Sequence, residues 1–265
     1  MPRQTIELLK WLTRNFKFLA SALLLLFFAT TSAAANDWRT VAPGIEYQDL
    51  DGSFLTPWSH VHVFRINLKE NDLKLVFAKD LARQYASIKE YAEFSKAIIA
   101  INGGFFDKDY KPLGLRISNK RQQSPAKNIS WWGIFYIKNQ QPHLSSVAQF
   151  HQDRQIEFAI QSGPRLLINN RIPPLKPGRA ERTALGITPD NRVIILVTDN
   201  MPLSTTELAQ LMKAPPLSCE NALNLDGGSS SQLHARLDSF QLDVHGFSNV
   251  SDAVIVREKV KYKDF

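Results

Sequence analysis

The chain has a single cysteine, Cys219, among 265 residues, so no internal disulfide can form and stability must come from packing. It also lacks an apolar run long enough to span a bilayer. The longest, "FLASALLLLFFA" (18 to 29), falls short of the roughly 17 to 25 residues a spanning helix needs. No cysteine directly follows that run to serve as a lipid acceptor, and no internal repeat or low-complexity tract follows it. Strong charge of one sign is missing too. The whole chain carries a formal +7, but residues 1 to 35 hold four of the basic residues (Arg3, Lys10, Arg14, Lys17) and one acidic residue, Glu7, which leaves +4 on the remainder. So mild a balance, with both signs interspersed, speaks against nucleic acid as a partner.

The basic start, the apolar run and the "TTSAAAND" that follows have the layout of an export signal, with Ala33-x-Ala35 suited to cleavage before Asn36. The expectation is a signal segment over 1–35 and one domain over 36–265, periplasmic or extracellular. A membrane would be met only through an uncleaved signal. The domain is large enough to bury a substantial core.

From residue 44 onward the pattern is strand-rich. "HVHVFRINL" (60 to 68) alternates with period two, and short apolar or β-branched runs recur at "LKLVFA", "AIIAI", "WWGIFYI", "IEFAI", "RLLI", "ALGI", "VIILV", "ALNL", "SQLHARL" and "DAVIV". "TPDNR" (188 to 192) reads as a hairpin turn. Capping boxes at "SIKE" from Ser87 and "STTE" from Ser204 open two helices, the second a crossover that returns the chain to the sheet interior. The fold class expected is α+β (mixed α/β), a single domain with a large twisted β-sheet core and few helices. Cys219, beside "ALNL", reads as a small core residue. The loop 169 to 182, "NNRIPPLKPGRAER", is long, proline-rich and basic, and suits a lid or rim.

Three strands end in polar, glycine-rich stretches. "AIIAINGGFFD" delivers Asn102, Gly103, Gly104 and, further on, Asp107; "IQSGPRLLINN" delivers Ser162, Gly163 and Arg165; "NALNLDGGSSSQL" delivers Asp226, Gly227, Gly228, Ser229 and Ser230. Strand ends on one sheet edge converge on one crevice, where ligands bind. Carboxylate, amide, hydroxyls, guanidinium and bare backbone together suit a sugar or a phosphate ester. Among the aromatics, Phe105, Phe106, Trp131 and Trp132 are candidates for stacking on sugar faces, with core burial expected for at least half of them. His60 and His62 share a strand face as zinc ligands would, but the same spacing fits ordinary sheet patterning. His234 and His245 follow the third stretch as possible acids or bases.

"AINGGFFD", "SGPRLLINN", "RTALGI", "LNLDGG" and "VSDAVIV", in this order, resemble the phosphodiester glycosidase family over about residues 60 to 257. The resemblance implies a fold and a reaction class, hydrolysis of a sugar-1-phosphodiester; the substrate expected is a cell-envelope or exopolysaccharide glycan. It adds Arg182, Thr183 and Asp252 to the candidate set. Asp226, Asn102 and Asp107 are the catalytic candidates. Asp226 would activate water or stabilise an oxocarbenium-like centre, Asn102 would orient a sugar hydroxyl or acetamido group, and Asp107 would be the second carboxylate. The other residues named would bind substrate, with Arg165, Arg182 and the N–H groups after Asp226 holding phosphate oxygens. No cofactor or resident metal is expected, although Asp226 and Asp107 could together take a divalent cation. Two alternatives stay open: a metal-dependent phosphodiesterase and a non-catalytic glycan-binding envelope protein. One letter departs from the family's usual Asp-Gly-Gly-Gly-Ser: Ser229 stands where the third glycine is expected, a position where positive φ would strain a serine.

Overall fold

The computed structural model describes residues 38–50 and 57–259. The expected signal segment lies outside them. The strands divide among three main sheets, all of whose pairings are antiparallel. A seven-stranded sheet runs, edge to edge, through Arg39–Ala42, Ile45–Asp49, His60–Ile66, Val193–Asp199, Thr183–Ile187, Asn221–Asn224 and Arg165–Leu167. A five-stranded sheet orders Phe240–Val244, Leu233–Leu237, Ile99–Asn102, Asp252–Glu258 and Asn71–Phe77. The other orders Arg121–Ser124, Arg116–Ser118, Ile156–Ser162, Gly133–Lys138 and Gln141–Ser146. The α+β, sheet-rich single domain with few helices is therefore as the sequence reads, with its strands shared among sheets.

Apolar side chains from all three sheets meet in one core that includes Phe64, Ile101, Phe135, Phe158, Leu185, Ile195, Leu223 and Val254. Helix Thr205–Lys213 covers the outer face of the seven-stranded sheet, burying Leu208, Ala209 and Met212 against Val63, Ala184 and Ile194. Helix Ile88–Ser95 covers one five-stranded sheet through Ile88, Tyr91 and Ala92 against Ala100, Ala253 and Ile255. Strands covered on both faces read as unbroken apolar runs rather than alternating ones, which is why "VIILV" and "DAVIV" lack a polar face.

Both capping boxes form: Ser87 Oγ accepts the Glu90 N–H and Ser204 Oγ the Glu207 N–H. "TPDNR" closes the hairpin between Thr183–Ile187 and Val193–Asp199, with the Thr188 N–H donating to the Arg192 carbonyl at 3.1 Å. Strands Val193–Asp199 and Asn221–Asn224 both pair antiparallel with Thr183–Ile187, hence are parallel to each other, and helix Thr205–Lys213 lies in the crossover between them. Gly186 lies beneath that helix, where a β-carbon would come 2.6 Å from both Cys219 Sγ and Met212 Cε. Cys219 is buried, and burial pushes its thiol up to about 12, so it is the small core residue the sequence suggests.

Candidate active site

The ends of strands from all three sheets meet at one place. Ile99–Asn102 ends on Asn102, Asp252–Glu258 begins on Asp252, Thr183–Ile187 begins on Thr183, Ile156–Ser162 ends on Ser162, and Asn221–Asn224 stops two residues before Asp226. Asn102 ties them together. Its Nδ2 donates to the Asp226 carbonyl at 2.8 Å, and its Oδ1 accepts the Thr183 hydroxyl at 2.7 Å and the Gln232 N–H at 3.2 Å. Asn102 and Thr183 are fully buried. They fix the main chain that carries Asp226 and do not face a ligand, which corrects the substrate-orienting role expected of Asn102 and the binding role of Thr183.

Gly103 and Gly104 are also corrected. A β-carbon on Gly103 would lie 1.9 Å from Asp252 Oδ1, and one on Gly104 would lie 2.6 Å from Arg116 Nη2. The two glycines make room for a buried ion pair rather than for substrate. Arg116 Nε donates to Asp252 Oδ2 at 2.6 Å, with side-chain exposures of 0% and 1%. The guanidinium's remaining donors reach the carbonyls of Leu113, Leu115, Gln161 and Phe105, the satisfaction a buried charge requires. Burial pushes the Asp252 carboxyl above its ordinary value, opposed by Arg116. Asp252 is thus structural, sealed behind Gly103. Arg116 escaped the sequence reading; a charge inside the apolar "LRI" of 115 to 117 was the available signal.

In front of this pair opens a cavity of about 630 Å³. Asp226, Gly227, Gly228 and Asn224 form one part of its lining, Gly163, Pro164, Phe105 and Trp131 another, and the loop from Pro174 to Ala180 with Arg182 and Thr205 a third. The 169 to 182 loop is therefore a rim. It is pinned by an Arg179–Glu207 ion pair, by the short pairing of Arg179–Ala180 with Leu203–Ser204, and by Thr205 Oγ1 donating to the Lys176 carbonyl at 2.9 Å. Trp131 is 52% exposed at the mouth. Its neighbour Trp132 is buried and packs in a tilted contact with Phe105, ring centroids 5.2 Å apart, while Phe106 stacks on Tyr110.

Asp226 is the only carboxylate among the described residues that line the cavity, facing Lys176, Arg179 and Arg182. Burial raises its pKa above the ordinary 3.8, with the charge of Asp252 adding to the shift; the Ser230 hydroxyl, the Gly227 N–H and the Arg116 guanidinium pull the other way. Arg182 pairs with no carboxylate among the described residues; it donates to the carbonyls of Leu203 at 2.7 Å and Gly178 at 2.6 Å, and burial lowers its pKa. Arg165 is not among the residues lining the cavity; the Cγ of its stem would lie 2.6 Å from a β-carbon on Gly133. Ser162 is fully buried behind Gly163, whose own β-carbon would strike Trp132 at 2.5 Å.

The N–H groups after Asp226 are largely spent within the loop. Gly227 donates to Asp226 Oδ1 at 2.9 Å, Gly228 to the Glu181 carbonyl, Ser230 to the Gly227 carbonyl and Ser231 to the Gly228 carbonyl. The backbone anion cradle expected there is replaced by a self-bonded turn that aims the carboxylate, and Ser230 is a buried hydroxyl bonded to it. Within this turn only Gly228 has positive φ, at +60°. Ser229 needs none, so its departure from the family pattern leaves the backbone intact. It is exposed, and its Oγ accepts the Ser248 hydroxyl at 2.8 Å.

Asp107 is corrected as well. Its Oδ1 accepts the N–H groups of Asp109 and Lys111, both at 2.9 Å, which holds its pKa below the ordinary value, and it is not part of the cavity lining. It closes a turn. No cluster of three or more His, Cys, Asp or Glu side chains among the described residues is arranged to hold a metal ion. His60 and His62 stack on one another at 5.2 Å, bonded to Asp49 and Tyr47; His234 bonds to Asp243, and His245 is exposed.

The phosphodiester glycosidase family model matches residues 95–257, which contain every strand end that builds this site. The chain belongs to that family. Among relatives, the protein YigE of Escherichia coli K12, itself uncharacterized, is 28% identical over 235 residues, covering 82% of this chain and 84% of that one. The catalytic domain of zebrafish N-acetylglucosamine-1-phosphodiester alpha-N-acetylglucosaminidase shares the fold with a TM-score of 0.64 at 18% identity, over 85% of this chain and 87% of that one. A hypothetical protein from Synechocystis does so with a TM-score of 0.57 at 17% identity; the match covers 81% of this phosphodiester glycosidase family member but only 62% of that chain.

Proposed function

We propose that the protein is an exported hydrolase that cleaves the bond between a sugar's anomeric carbon and a phosphodiester, in a glycan of the cell envelope or an exopolysaccharide. The observation that carries this reading is a half-buried carboxylate in one cavity with Lys176 and Arg182, beside an exposed tryptophan. The tryptophan suits a sugar face. Lys176 and Arg182 suit the phosphate, whereas Arg179 is held by Glu207.

One carboxylate is enough for this chemistry. The departing phosphate monoester is a weak base, so the bond breaks without the second, acidic carboxyl that ordinary glycosidases place across the scissile bond. Asp226 takes a proton from the attacking water. The water oxygen bonds to the anomeric carbon, and the C–O electron pair leaves with the phosphate oxygen, whose charge the cations hold. Export of the chain rests on the layout of residues 1 to 35 and is tested by locating the protein in fractionated cells.

The test is a panel of synthetic sugar-1-phosphodiesters presented to the wild type and to Asp226→Asn, with and without chelator. Turnover by the wild type that survives chelation and is lost by at least about a thousandfold in the variant is expected. Retained turnover by Asp226→Asn removes that carboxylate from the mechanism. Loss on chelation moves the activity to a metal-dependent phosphodiesterase.

A further inference from the structure

Asn224 lies two residues before Asp226, at the end of its strand, and is 3% exposed yet part of the cavity lining. Its amide is oriented by its own hydrogen bonds. Nδ2 donates to the Gly163 carbonyl at 3.0 Å and to the Leu225 carbonyl at 2.5 Å. Both partners are acceptors only, so the opposite orientation would set Oδ1 against two carbonyl oxygens. Oδ1 is left buried with no hydrogen-bond partner. A buried acceptor left without a donor is costly, so an unpaired one on a residue that lines a binding cavity marks where a ligand donor belongs.

We infer that Asn224 Oδ1 is a specificity-determining acceptor for one hydrogen-bond donor, a hydroxyl or an amide N–H, on the ring of the sugar bound beside Asp226. The inference rests on the sugar-binding reading of the cavity. Around it the other neutral groups differ in kind. Trp131 and Phe105 offer rings, Thr205 a hydroxyl whose hydrogen goes to the Lys176 carbonyl, and Gly163 and Pro164 backbone whose Gly163 carbonyl is already taken by Asn224 itself. The cations of the rim can only donate. An acceptor fixed by two bonds discriminates strongly, because a ligand lacking the donor leaves Oδ1 desolvated and unpaired, whereas a merely apolar wall would distinguish the two poorly.

The experiment measures binding and turnover separately. A sugar-1-phosphate and its methyl phosphodiester, each with a matched series of monodeoxy analogues and, for amino sugars, the analogue lacking the N–H, are titrated against the wild type and Asn224→Ala by calorimetry. The wild type is expected to lose about tenfold or more in affinity for one analogue only, and Asn224→Ala to bind that analogue and its parent within about threefold of each other. An equal loss on every ligand in the variant, or a wild type indifferent to every deletion, overturns the inference. Should Asn224→Ala fail to fold, the wild-type series alone decides between selective and indifferent binding. Binding with discrimination but without turnover overturns the hydrolase reading and leaves the acceptor standing. Absence of binding by any member overturns both.

Discussion

A β-carbon on Gly103 would sit inside the van der Waals surface of Asp252, and Asp252 cannot turn aside because Arg116 holds its other oxygen. Gly103→Ala should therefore cost about 3 kcal/mol or more, read from the denaturant midpoint, although glycine-to-alanine changes elsewhere often stabilise. Asp226 carries a prediction of opposite sign. Its folded-state pKa is raised above the ordinary 3.8, so the folded protein holds that proton more tightly than the unfolded chain does. The stabilisation of the protonated form is present at low pH and is lost as pH rises from 3.8 through the folded value. Asp226→Asn removes this loss. Thermal melts should show the variant gaining on the wild type as pH rises through that window, with a constant gap above it. The acid limb of wild-type kcat/KM should be displaced upward from 3.8 in the same direction, since the base must be ionised. At this scale the sequence named the carboxylate correctly as a strand-end group, because aspartate before two glycines is a local signal. It misplaced the burden on Gly103, Gly104 and Asp252, because the ion pair that fills the space comes from Arg116, over a hundred residues from its partner.

The helix Thr205–Lys213 serves both the sheet it covers and the cavity rim it adjoins. Ser204 caps it through its Oγ, Glu207 returns a bond to the Ser204 N–H at 2.8 Å, and the same carboxylate takes Arg179 from the proline-rich loop. Ser204→Ala should cost about 1 kcal/mol of stability. Because the first turn also anchors the rim through Thr205 and Glu207, KM for a sugar-1-phosphodiester should rise while kcat changes by less than about threefold. A drop in kcat with unchanged KM would show that the rim aligns the reacting atoms instead of holding the ligand. Both helices were legible because a capping box is complete within four residues. Strands Gln141–Ser146 and Arg121–Ser124 were not: "RQQS" is a polar sheet edge with no buried residue, and "QPHLSS" turns only Pro142 and Leu144 inward, too short an alternation to stand out.

At the scale of the whole molecule, the site exists because three sheets bring their strand ends to one point, and its ties span long stretches of chain. Asn102 reaches 81 residues to Thr183 and 124 to Asp226. No local pattern encodes such separations, so the sequence could name the converging stretches but not which residues would face the cavity and which would brace it. On the proposed function the convergence also sets the polarity of the reaction: Asp226 belongs to the strand-end floor, whereas Lys176 and Arg182 belong to the loop side, so a phosphodiester held by the cations would present its sugar carbon to the carboxylate. Hydrolysis in heavy-oxygen water reads this orientation directly. Water activated at Asp226 should place the label on the anomeric hydroxyl of the released sugar and leave the phosphate unlabelled. Label in the phosphate would mean attack at phosphorus, which requires the nucleophile on the cationic side of the cavity and would transfer the base's role away from Asp226.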